Sequence, residues 1–154
     1  CQALIMQLTV EMQSDGLAKI RDLNLERFYY KLKKDQPHKN WSLEMFDIAK
    51  QEYRRFLELE FRYPDWNFAP TSIMDDLWHQ HILDTKTYTR DCMDILGKYL
   101  HHSPSFEESD SRNNRIIEAS ENLVKKYSKH YGDMPYGVQG HCITDSGCGD
   151  DDDC

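Results

Sequence analysis

Apolar residues recur at intervals of three and four along nearly the whole chain, and alternation of period two never persists, so the pattern predicts an all-α protein. It divides into a compact bundle of about five helices. The stretch from Ala3 to about Met12 forms a first helix, and Leu25, Phe28, Tyr29 and Leu32 share one face of a second that ends before Pro37. Ser42 reads as the N-cap of a long helix with Phe46, Ala49, Tyr53, Phe56 and Leu57 inward and Lys50, Glu52, Arg54, Arg55 and Glu58 outward. Tyr63-Pro64 stops it. An aromatic loop, YPDWNFAP, leads to Ser72-x-x-Asp75, which resembles a capping box. A turn at Asp84-Thr85 then folds two helices into a central hairpin. The second of these carries Tyr88, Cys92, Ile95, Leu96 and Tyr99 on one face, runs through Gly97 and stops at His102-Ser103-Pro104. After the polar SPSFEESDS, a last helix of about twenty residues presents Ile116, Leu123, Tyr127 and Tyr131 and is closed by Gly132. The expected organisation is a helical domain over 1–132 and an irregular Gly/Asp/Cys tail over 133–154.

Composition narrows the function classes. The 154 residues are 39% apolar, 30% charged and 12% Phe, Tyr or Trp, so the aromatics supply much of the buried area. The net charge of −8 is concentrated in the tail, where Asp145 and Asp150 to Asp153 stand without a base, and the remainder is only mildly acidic. Such a balance argues against nucleic-acid binding and against a polybasic membrane surface. No apolar run approaches the ~18 residues of a membrane span. The five cysteines, an odd number, at Cys1, Cys92, Cys142, Cys148 and Cys154, leave no pair within the body of the domain, which favours a reducing, intracellular setting, cytoplasmic or organellar. A lipidated Cys1 is the disfavoured alternative.

The chemistry is concentrated in DDLWHQHILDT, Asp75 to Thr85. Helical steps put Met74, Leu77, Trp78 and His81 on one arc, which makes His81 a buried, hydrogen-bonded imidazole or else a ligand. Asp75 and His79 stand four residues apart on the flank of that arc, a spacing that lets a carboxylate and an imidazole share a divalent ion or form a surface pair. Folding at Asp84-Thr85 brings Cys92 to their level, either as a thiol ligand or as a small buried hydrophobe. His102 reaches Asp75 only if the chain turns inward after the helix. In the tail, Cys142-x5-Cys148-x5-Cys154 with His141 adjacent is a weak match to zinc-knuckle spacing.

Trp41, Tyr53 to Leu57, Asp75, Trp78, His79, His81 to Thr85, Tyr88, Asp91, Cys92, Gly97 and Leu100 to His102 together resemble the glycine-rich domain-containing protein family, over a core of 41–104. The resemblance implies no particular reaction. It does imply that Asp75, His79, Cys92 and His102 belong to a retained pattern. It also implies that GHCITDSGCGDDDDC is a shortened tail in which aspartate replaces much of the glycine.

Two functions compete. The first is a noncatalytic helical interaction module, an accessory subunit of a larger assembly, in which Tyr63, Trp66 and Phe68 contact a protein partner. The absence of any phosphate loop, nucleophile elbow or dinucleotide fingerprint supports it. The second is a metal-binding protein or metal-dependent enzyme that holds zinc or iron through Asp75, His79 and His102, with Cys92 and His81 in reserve.

Overall fold

The computed structural model describes residues 2–103 and 110–135, and over them the protein is all α, with no strand. Six helices follow in order: α1 (Gln2–Arg21), α2 (Phe28–Asp35), α3 (Leu43–Arg62), α4 (Ser72–Leu83), α5 (Thr85–Leu96) and α6 (Asp110–Tyr131), with a 3-10 turn at Pro37–Lys39. No helix among the described residues is long and apolar enough to cross a membrane. The tail cysteines Cys142, Cys148 and Cys154, and His141, lie outside the described residues.

Helix α3 is the spine. Ser42 caps it by accepting a hydrogen bond from the Met45 amide at 3.0 Å, and its inward face buries Phe46, Ala49, Tyr53, Phe56 and Leu57. Each large side chain taken fully out of water contributes about 1.5–3 kcal/mol before entropy is counted. Its most extensive packing is against α4, where Phe56 meets Trp78 at 5.0 Å between ring centroids and Tyr53 meets His81 at 5.9 Å. Helix α1 is longer than the apolar run at Ala3 to Met12 suggests, because its second half packs on α3. There Gly16 lies so close to Phe61 that a Cβ would stand 2.4 Å from the ring. The first half leaves Leu4, Ile5, Met6, Val10 and Met12 between 62% and 70% exposed.

The face of α3 expected to meet water instead receives α6. Glu52 is 1% exposed and accepts from the Tyr127 hydroxyl at 2.8 Å, while Arg55 donates to both Glu52 and Tyr127. One turn on, Tyr131 donates to Glu58 at 2.5 Å. Single-helix periodicity assigns a polar residue to solvent and carries no information about a partner helix that brings hydroxyls to meet it.

Two boundaries also differ from expectation. Thr71, not Ser72, stands at the N-cap of α4 and makes no side-chain cap, so there is no capping box and the Asp75 carboxylate is free to act elsewhere. Helix α5 ends at Leu96 because Gly97 adopts a left-handed conformation, φ 68°, as a glycine C-cap. The chain reverses there, about one and a half turns earlier than His102-Ser103-Pro104 would place it.

Candidate metal site and its cleft

The early reversal at Gly97 positions the site. Residues 98–103 run back beside α4, fastened where the Tyr88 hydroxyl donates to the Leu100 carbonyl at 2.6 Å. Tyr88 is held in turn by the Trp78 indole, which donates to its oxygen at 2.8 Å. The His102 ring then rests 4.7 Å from the Trp78 ring and 4.6 Å from that of His79. A segment with no helical structure of its own thus delivers an imidazole to the flank of α4.

On that flank Asp75, His79 and His102 each offer a ligand atom, all within 4.8 Å of one another. His102 Nε2 lies 2.9 Å from Asp75 Oδ1 and 3.0 Å from His79 Nε2, and Asp75 Oδ2 lies 3.6 Å from His79 Nδ1. His102 Nε2 thus has two close polar neighbours, and a single N–H there cannot point well at both. An ion bound at about 2.0–2.1 Å by two nitrogens at a tetrahedral angle sets them about 3.3 Å apart, close to what is seen. The side chains are 32%, 46% and 19% exposed for Asp75, His79 and His102, so an ion there keeps positions open to water.

The two remaining candidate ligands are placed elsewhere. His81 is 2% exposed, with Nδ1 2.8 Å from the Tyr53 hydroxyl and Nε2 3.1 Å from Asp91 Oδ2, so both ring nitrogens are already engaged by protein. Burial lowers its pKa, with Asp91 opposing, and the neutral ring donates from Nε2 and accepts at Nδ1. Cys92 is buried beside Tyr88 and the Leu100 backbone, and burial pushes its thiol up, away from the thiolate a metal prefers. The level expected for it, beside Asp75 and His79, is occupied by His102.

The aromatic loop is turned onto α6 rather than outward. Tyr63 Oη lies 2.8 Å from His130 Nε2, the Lys126 ammonium sits 3.9 Å above the Trp66 ring, and Phe68 is 9% exposed. Between this loop, α4, residues 98–103 and α6 opens a cleft of about 1020 Å³ whose wall includes Asp75 and His102. That is at the upper end of volumes that enclose small ligands.

The cleft also holds a residue that sequence reasoning passed over. Glu60 is 8% exposed, lines the cleft, and has its pKa raised to about 7 by burial, with Lys98 opposing. The signal was present: Phe46, Ala49, Tyr53, Phe56 and Glu60 follow one another at steps of three and four, which puts an acid in the phase of the core.

No curated protein and no solved structure matches the chain. A family model described as UCP032817-like matches residues 17–123, a span that runs from α1 into α6 and contains Glu60, Asp75, His79 and His102. Over that span, more than half of its length, the chain belongs to the UCP032817-like family.

Proposed function

We propose that this protein binds one divalent transition ion, zinc or iron(II), through Asp75, His79 and His102, and that the open side of the ion faces the cleft. The observation that carries the reading is the convergence of a carboxylate oxygen and two imidazole nitrogens within 4.8 Å of one another, with His102 Nε2 close to both of its neighbours. Two imidazoles and a carboxylate with free positions suit either metal and are the donor set of reactive rather than closed sites. Cys92 and His81 take no part in the ligand set. The test is elemental analysis of protein purified without an affinity tag or chelator. One ion per chain is expected, falling in His79→Ala and His102→Ala and unchanged in His130→Ala, whose ring serves Tyr63. Less than about a tenth of an equivalent in the parent protein overturns the reading.

A second reading, the interaction module, draws support from α1, where Leu4, Ile5, Met6, Val10 and Met12 stand exposed on one helix. The partner surface moves with that observation from Tyr63, Trp66 and Phe68, whose rings pack within the fold, to the start of α1. Self-association that disappears in the double variant Leu4→Ser, Ile5→Ser supports it. A parent protein that sediments as a monomer at every concentration counts against it.

A further inference from the structure

The cleft joins the ion site to Glu60. Helices α3 and α4 are in antiparallel register: Tyr53 meets His81, and Phe56, one turn on, meets Trp78. One further turn along α3 brings Glu60 to the level of Met74 and Asp75. Glu60, Asp75 and His102 line the same cleft, so the acid and two of the three ligands share one solvent space. Among the described residues no hydrogen bond reaches the Glu60 carboxylate, although it is 8% exposed. The other buried ionisable side chains are paired, Glu52 by Tyr127 and Arg55, Asp76 by Lys39 and Gln36, His81 by Tyr53 and Asp91, while the Thr71 hydroxyl, like Glu60, has no partner among the described residues. Glu60 is thus a mostly buried carboxylate without a protein partner on the cleft wall. Burial also brings its proton affinity close to neutrality, where a group exchanges protons most effectively.

We infer, resting on the reading of Asp75, His79 and His102 as an ion site, that Glu60 is the acid–base group of a metal-assisted hydrolase acting on acyl compounds, esters or amides, with an aromatic or apolar body. The Glu60 carboxylate takes a proton from a water polarised by the ion. The water oxygen bonds to the acyl carbon, and the carbonyl electron pair moves onto the carbonyl oxygen. When that pair returns, the bond to the alcohol or amine breaks, and the departing group takes the proton from Glu60. Water is the only co-reactant, and nothing is oxidised or reduced. The cleft favours an apolar body through Trp66, Phe68, Trp78 and Tyr99. Two cations also line it, Lys98, which donates to the Pro64 carbonyl at 3.1 Å, and Arg115.

The test compares the zinc-loaded full chain, the metal-stripped chain and the zinc-loaded variants Glu60→Gln and His79→Ala, with 4-nitrophenyl phenylacetate as the probe. Zinc content and the thermal transition are read on the same samples. The expected result is hydrolysis by the loaded parent above that of the stripped chain, falling about 10²-fold or more in Glu60→Gln with zinc content unchanged. The rate is expected to fall on the acid side near neutral pH in the parent and to lose that limb in the variant. Equal rates for loaded and stripped parent, or for parent and Glu60→Gln, overturn the proposal while leaving the ion site standing. A parent that takes up no zinc removes both. If Glu60→Gln melts early, Glu60→Asp serves instead, and a rate equal to the parent's together with an unchanged pH profile counts as refutation.

Discussion

Tyr53 on α3 and His81 on α4 share a fully buried hydrogen bond, 2.8 Å from phenol oxygen to Nδ1, and Asp91 takes the opposite ring nitrogen at 3.1 Å. The contact fixes the tautomer: the ring donates to the carboxylate and accepts from the phenol. Replacing Tyr53 with Phe leaves Nδ1 buried without a donor. The expected loss is about 1–3 kcal/mol in urea denaturation, and nitrogen chemical shifts should show the His81 proton on Nε2 in the parent. A loss under about half a kilocalorie would mean that water replaces the phenol.

Glu60 gives stability a pH dependence of definite sign. Its folded pKa is raised from 4.5 to about 7, so between those values the folded chain holds the proton more tightly than the unfolded one. Its contribution is therefore whole below about 4.5 and is lost as pH rises through about 7. The displacement corresponds to about 3 kcal/mol. Glu60→Gln should be more stable than the parent at pH 8 by up to that amount and equal to it near pH 4, as measured by denaturant melts at both pH values. Equal stability at pH 8 would contradict the burial argument.

Gly97 stands in the left-handed region with open space around its Cα, so a substitution there meets only backbone strain. Gly97→Ala should cost about 1–2 kcal/mol, and Gly97→Asn less. Because the reversal at Gly97 carries His102 to α4, the alanine variant should also bind the proposed ion more weakly. Unchanged affinity in a destabilised variant would show that residues 98–103 are positioned by the Tyr88 latch alone.

Tyr127 sits at 0% exposure between Glu52 and Arg55, with its pKa pushed up to about 12 by burial. Tyr127→Phe deletes the hydroxyl that caps the buried Glu52 carboxylate. A loss of about 1–3 kcal/mol is expected, and faster hydrogen exchange in α6 than in α3 should accompany it.

What the chain made legible followed from local rules. Ser42 as a cap, the inward stripe of α3, the break at Asp84 and the closing Gly132 can each be read from a window of a few residues. The pairing of Asp75 with His79 follows from helical spacing in the same way. His102 required the path of the chain after Gly97, and that glycine is read equally well as a costly helix interior or as a cap until the tether from Tyr88 to Leu100 is known. Glu52 and Glu58 look solvent-facing until α6 brings tyrosines across more than seventy intervening positions. Cys92 looked like a neighbour of Asp75 because a hairpin aligned about Asp84 pairs residues equally distant from it. In the structure the chain after Gly97 lies alongside the start of α4 instead.

The three donor groups are not equally anchored. Asp75 and His79 ride on one helix, whereas His102 hangs on a short return segment held by the Tyr88 hydroxyl at Leu100, by Lys98 at Pro64 and by the packing of His102 on Trp78. Peeling that segment away would open the trio without melting anything else, a local event far less costly than global unfolding. How long an ion stays should then depend on how firmly these few contacts hold the segment rather than on how firmly the bundle holds together.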